Sequence, residues 1–223
     1  MKRQIEIRTR DDLTEKQKGL IQLIKDKKTK IVFISGAAGT SKTFIGVQAG
    51  LELLNEKRVS EVLYLRSAIE SAQKSLGFLP GDQRSKEEVY MIPLLDKLNE
   101  FLDKGTIDTL IKEGRIKSTV VNYLRGQNLN AKYILVDEFQ NFSLDEAKTI
   151  VTRLGKYSTM VLVGDPMQSD IRNSGMLEVI RMFNDKESQD NGVFCIEFTK
   201  EDIVRSGICK FLVERFERES LYK

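Results

Sequence analysis

The sequence predicts an α/β fold, a mostly parallel sheet with helices on both faces. Short β-branched runs recur between segments of helical periodicity, the alternation that builds parallel sheets. These runs are apolar along most of their length, as expected of strands covered on both sides. A chain of 223 residues with no linker-like stretch and no internal repeat fits one domain spanning 1–223, with a core at about 13–220.

Taken in order, Leu13-Thr-Glu-Lys-Gln17 opens a helix, with Thr14 as N-cap and Gln17 completing a capping box. Ile31–Ser35 is the first buried strand. Lys42–Glu56 follows as a helix that places Phe44, Ile45, Val47, Leu51 and Leu54 on one face. Glu61–Leu65 is the second strand, and Ser67–Ser85 reads as a long loop or short-helix excursion outside the sheet. Met91–Leu102 has helical spacing, with Pro93 tolerable in a first turn. Ile116–Val121, Tyr133–Val136 and Met160–Val163 are further strands, and Val193–Phe198 is expected at an edge. Ser143–Leu154 opens with a Ser-x-x-Glu capping box formed by Ser143 and Glu146.

Composition removes several function classes. The chain has no histidine, which excludes Ser-His-Asp and Cys-His nucleophiles, imidazole bases and His-containing metal sites. Cys195 and Cys209 cannot build a zinc cage and are expected as buried, reduced thiols. No apolar run approaches a membrane span, and the charged N-terminus lacks the apolar stretch of a signal peptide, so a cytoplasmic protein is expected. The net charge of +3 is too mild to argue for nucleic acid by itself.

The first strand runs into Gly36-Ala-Ala-Gly-Thr-Ser-Lys-Thr43 and then a helix. A strand that delivers the chain to a tight loop at a helix N-terminus makes a phosphate cradle from backbone amides. Gly36 and Gly39 permit the turn, Lys42 supplies a point charge for the β- and γ-phosphates, and the Thr43 hydroxyl can ligate Mg²⁺. Ala37, Ala38, Thr40, Ser41 and Phe44 complete the nucleotide-binding candidates. Ser41 stands where this pattern has Gly, and its β-carbon must fit the loop's dihedrals.

Strand Tyr133–Val136 ends in Asp137-Glu138-Phe-Gln140-Asn141. Two acids ending a buried run are costly without partners or work. In a P-loop enzyme Asp137 would hold the Mg²⁺ shell and Glu138 would polarise the attacking water. The next strand ends in Gly164-Asp165-Pro166-Met167-Gln168, and Gln168 is suited to sensing the γ-phosphate or the water. Three strand ends are thus expected at one edge of the sheet, where ligands of open α/β folds bind.

These motifs resemble the PhoH family of P-loop ATPases, related to the first RecA-like domain of superfamily-1 helicases. Further residues carry the resemblance: Arg66 with Ala68-Ile69-Glu70, Leu76-Gly-Phe-Leu-Pro-Gly-Asp82, Tyr123-Leu-Arg-Gly126, Thr152-Arg-Leu-Gly155 and Glu201-Asp-Ile-Val-Arg205. Departures are Ser41, Ser67 where the family tends to have Pro, and a shortened stretch between Gln168 and Ser174-Gly175. The resemblance implies a RecA-like P-loop NTPase fold, Mg²⁺-dependent ATP hydrolysis, an adenine-reading role for Gln17, and an RNA or DNA partner.

Such helicases close the ATP site between two RecA-like domains, whereas one domain consumes this chain. Arg172, at a helicase-like distance after Gln168, could reach the γ-phosphate from the same chain. Arg205 could come from a neighbouring subunit as an arginine finger, which implies a homo-oligomer, with a hexameric ring favoured. Arg66 and Arg153 are weaker candidates. Lys25-Asp-Lys-Lys-Thr-Lys30 is the densest basic run and reads as a solvated loop. The alternative function is a nucleotide-binding switch or assembly module with weak or no hydrolysis, for which Ser41 is the argument.

Overall fold

The computed structural model describes residues 4–67, 83–124 and 126–204, together with positions 208, 211 and 215. Helix α1 (Glu15–Lys25) is opened by the expected capping box: the Thr14 hydroxyl accepts from the Gln17 N–H, and the Gln17 side chain accepts from the Thr14 N–H. Strand β1 (Ile31–Gly36) leads into α2 (Lys42–Asn55), and β2 (Glu61–Arg66) follows. Helices α3 (Gln83–Phe101) and α4 (Lys104–Lys112) precede β3 (Ile116–Val120). Then come β4 (Lys132–Asp137), α5 (Leu144–Val151), β5 (Thr159–Gly164), α6 (Met176–Phe183), α7 (Lys186–Asp190) and β6 (Val193–Phe198).

Among the described residues the strands form one sheet in the order β3-β2-β4-β5-β1-β6, every pairing parallel. Val193–Phe198 is an edge strand, as its sequence suggested, and β1 lies between β5 and β6, with Ile31 beside both Met160 and Val193. Parallel pairing brings the C-terminal ends of β1, β2, β4 and β5 to one edge, which is where the P-loop and the acids emerge.

Each face of the sheet has its own core. Ile24, Ile45, Leu51, Leu54, Leu98 and Phe101 from the first helices pack on Tyr64, Tyr133 and Leu135. On the other face Phe139, Phe142, Ile150 and Met176 pack on Phe33, Leu65, Val136 and Leu162. Fully burying one such side chain contributes about 1.5–3 kcal/mol. Helix α2 lies unusually close to β4. A β-carbon at Gly46 would sit 2.7 Å from Leu135, and one at Gly50 2.5 Å from Tyr133, whose hydroxyl donates to the Gly46 carbonyl at 2.6 Å.

Several expectations need correction. Helix α3 begins at Gln83, so Pro93 sits in its interior rather than its first turn. Having no N–H, Pro93 leaves one carbonyl of the preceding turn without its helical donor. Strand β3 stops at Val120, and Val121–Leu124 tightens into a 3-10 turn. The Ser67–Ser85 excursion includes the start of α3, and its residues 68–82 lie outside the described part. Helix α4 is an addition: Asp103 accepts from the Thr106 N–H at 2.9 Å as N-cap, while Ile107 and Leu110 are buried. Cys195 is half-buried rather than buried, with its Sγ 3.7 Å from the Ile180 carbonyl. Burial, aided by Asp185, pushes its thiol up to about 11 and keeps it protonated; Cys209 lies outside the described residues. Among the described residues no helix is long and apolar enough to cross a membrane.

Candidate active site

The loop after β1 wraps around its own lysine. Lys42 Nζ donates to the carbonyls of Gly36 and Ala37 at 2.7 and 2.8 Å, and lies 3.4 Å from Thr40 Oγ1. The Thr40 hydroxyl closes the turn by donating to the Ala37 carbonyl at 2.9 Å. Gly36 cannot be replaced without movement: its φ is 150°, and an added β-carbon would lie 2.6 Å from the Phe198 carbonyl oxygen. Ser41 has φ 63° and ψ 23°, in the left-handed region, and its side chain makes no capping bond. The β-carbon is therefore accommodated at a conformational cost of roughly 1–2 kcal/mol, and the hydroxyl contributes no cap in return. Ser41→Gly is expected to stabilise the fold by about 0.4–1 kcal/mol or more while leaving phosphate release equal or faster. A fall in nucleotide affinity in that variant would show that the hydroxyl itself holds phosphate or metal.

Beneath the loop, α2 and β4 bring two oxygens together. Thr43 Oγ1 donates to Asp137 Oδ1 at 2.9 Å. The other carboxylate oxygen, Oδ2, accepts from the Tyr64 hydroxyl at 2.7 Å. Burial, reinforced by the neighbouring Asp137 carboxylate, raises the Tyr64 phenol far above its ordinary value, so it remains a donor. A hydroxyl and a carboxylate are hard oxygen donors that fit Mg²⁺, which commonly takes one or two protein ligands and completes its sphere with phosphate and water. Thr43 and Asp137 are thus the residues that would hold the ion.

Glu138 follows at a strained position, φ 54°, which turns the chain out of β4 into a 3-10 turn. Its Oε1 lies 3.8 Å from Arg66 Nη2, and its Oε2 accepts from Gln140 Nε2 at 2.5 Å. Gln168, exposed at the end of β5, donates from Nε2 to Asp165 Oδ2 at 2.8 Å. A cavity of about 580 Å³ gathers these groups: Ala38, Gly39, Ser41, Lys42, Thr43 and Phe44 from the loop and helix, with Arg66, Asp137, Glu138 and Gln168 opposite. Phe44 packs against Phe101 at 4.4 Å between ring centroids, and the Arg10 guanidinium covers its ring at 4.9 Å.

Other expected residues are placed differently. Gln17 is fully buried, and its Nε2 donates to the carbonyls of Thr40 and Asp202 at 3.2 and 3.4 Å. With Oε1 used in the capping box, its amide supports the loop from behind and does not line the cavity. Arg172 is exposed and also does not line the cavity. Arg153 lies at the opposite end of the sheet, where its carbonyl accepts from the Leu129 N–H ahead of β4. Arg205 is outside the described residues, but its neighbour Val204 lines the cavity, with its N–H directed at the Gly39 carbonyl at 3.4 Å. Sequence reasoning gave no role to Tyr64 or Asp202. A lone phenol in an aliphatic strand, two residues before Arg66 on the same face, was the available signal for the first.

The family described as PhoH-like protein matches residues 9–217. A PhoH-like protein of Synechocystis sp. is 34% identical over 208 residues, covering 92% of this chain and 61% of that protein. A PhoH-like protein of Bacillus subtilis is 31% identical over 194 residues, covering 87% of this chain and 60% of that protein. Protein PhoH of Escherichia coli is 30% identical over 201 residues, covering 88% and 55% respectively. The chain therefore spans a little over half the length of these relatives. Among solved structures, a Sulfolobus solfataricus SWI2/SNF2 ATPase core in complex with dsDNA superposes with a TM-score of 0.51 at 16% identity, over 89% of this chain and 46% of that one. At that identity the likeness is one of fold, a RecA-like α/β core.

Proposed function

Because this chain belongs to the PhoH-like protein family, we propose that it is a Mg²⁺-dependent ATPase that converts ATP and water to ADP and phosphate. The observation that carries the reading is the convergence of the Thr43 hydroxyl and the Asp137 carboxylate, 2.9 Å apart, in a cavity shared with Lys42, Glu138 and Gln168. The loop amides and Lys42 hold the phosphates, the lysine exchanging its bonds to Gly36 and Ala37 for phosphate oxygens. Thr43 and Asp137 would hold Mg²⁺, which would supply positive charge against the phosphates. Glu138 orients a water and accepts its proton as the water attacks the γ-phosphorus in line. Gln168 binds the γ-phosphate or that water from the β5 side. Phosphate release from ATP with and without Mg²⁺ tests the reading, and tight ATP binding without release would support a switch or assembly module instead.

RNA or DNA is proposed as the partner that stimulates turnover, supported by the family and by the dsDNA carried by the ATPase core of similar fold. Phosphate release with added single-stranded RNA, single-stranded DNA or duplex checks it.

The protein is further proposed to assemble head to tail, favouring a hexameric ring, with Arg205 of one subunit near the nucleotide of the next. Arg205→Ala is then expected to lower kcat about 10³-fold or more with little change in ATP affinity, since a finger acts on transition-state charge. Mixing Arg205→Ala with Lys42→Ala subunits should recover activity at interfaces that pair an intact loop with an intact finger. Absence of recovery in verified mixed assemblies would mean that Arg205 serves its own subunit, a short step along the chain from Val204.

A further inference from the structure

Glu138 and Gln168 stand at the ends of separate strands, and one buried side chain joins them. Gln140, 1% exposed, sits in the 3-10 turn after β4. Its Nε2 donates to Glu138 Oε2 at 2.5 Å and is directed at the Gln168 carbonyl at 3.4 Å, while its Oε1 accepts from the Asp165 N–H at 3.0 Å. Both ends of the amide are therefore engaged, each on a different part of the site. The seat is close: a β-carbon at Gly164 would fall 2.8 Å from Gln140 Oε1. Neighbouring groups reinforce the join. Asn141 Oδ1 accepts from the Asp170 N–H at 2.8 Å, and its Nδ2 donates to Asp170 Oδ2 at 3.0 Å. The Ser169 hydroxyl donates to the Gln140 carbonyl at 3.1 Å.

We propose that Gln140 is a positioning residue for hydrolysis, holding the Glu138 carboxylate in place and fastening it to the loop at 165–170, so that Glu138 and Gln168 act as one unit. This rests on the ATPase reading. Among the described residues, the other restraint on the Glu138 carboxylate is the 3.8 Å contact with Arg66, whose partners are 37% and 39% exposed. An ion pair that open is weak, and it draws the carboxylate toward β2. Gln140 supplies a short, charge-assisted bond from the opposite side. Its second attachment, to Asp165 and Gln168, lets a shift of the sensor loop move the base. A buried amide with only a packing role would lower stability on removal and leave the rate per bound nucleotide unchanged.

The test uses the full chain and two variants. Gln140→Leu removes every bond of the amide, and Gln140→Glu keeps the acceptor for Asp165 but sets a second carboxylate against Glu138. Binding of a fluorescent ATP analogue and single-turnover hydrolysis per bound nucleotide separate affinity from chemistry. Hydrolysis is expected to fall about 10–100-fold, the usual cost of losing a group that orients a site residue, with affinity within about twofold. The loss in Gln140→Leu/Gln168→Ala should be smaller than the product of the single losses, because both act through one unit. Parental hydrolysis per bound nucleotide in either folded variant, or losses that multiply in the double variant, overturns the proposal. A parental protein that binds ATP and does not hydrolyse it fails the ATPase reading, a result distinct from these.

Discussion

Glu138→Gln is expected to bind ATP as the parent does and to lose hydrolysis by about 10²–10⁴-fold, the range for removing a general base. The substitution isolates basicity from structure. A glutamine at this position still offers an oxygen to Gln140 Nε2, so the short bond that holds the side chain can persist. The strained backbone at φ 54° is unchanged in kind, since Gln has the same branching as Glu. What disappears is a group able to take a proton from water. Single-turnover hydrolysis with ATP in excess of its dissociation constant measures the loss. Parental turnover would mean that another group activates the water.

Lys42→Ala should be more severe, because it acts on binding and chemistry together. The ammonium sits at the centre of the loop, where it donates to the Gly36 and Ala37 carbonyls. A hydrogen bond to a charged partner is worth about 1.5–3 kcal/mol, so ATP affinity should drop roughly 10–100-fold, with turnover abolished. Those two carbonyls also lose their donor, and the empty loop should become less ordered. Equilibrium binding of a labelled nucleotide and steady-state phosphate release check the two effects separately. Parental release would show that the cavity around the loop is not the site of hydrolysis.

The sheet was largely legible in the sequence because its inner strands β1, β2, β4 and β5 are nearly continuous apolar runs buried on both faces, which short-range pattern reports well. The phosphate loop and the acids were legible for a different reason: they sit at strand ends, and parallel pairing takes those ends to one edge. Side-chain direction was less accessible. The family resemblance implies a base-reading role for Gln17, yet its amide turns inward to Thr40 and Asp202, a contact that depends on the chain returning some 185 residues later. Arg172 follows Gln168 at a suggestive spacing, but the loop fastened by Asn141 to Asp170 leaves it in solvent. Pro93 is tolerable in a first turn, a local preference that α3 overrides by starting earlier. For Gln17 and for the loop that carries Arg172, the deciding partner is distant in sequence.

The position of β1 has a consequence for how the protein is made. Among the strands described, β1 is the earliest, yet the two that flank it, β5 and β6, are the last. On a ribosome, Ile31–Gly36 emerges long before either neighbour exists to satisfy its backbone. Its apolar side chains and unpaired amides are then open to wrong pairing, and such non-local parallel closure is slow. The phosphate cradle leans on the same late arrivals, through Phe198 against Gly36 and Val204 against Gly39. The loop therefore cannot take its full set of contacts until Phe198 and Val204 have been made, and the strand that carries it waits unpaired until its neighbours emerge.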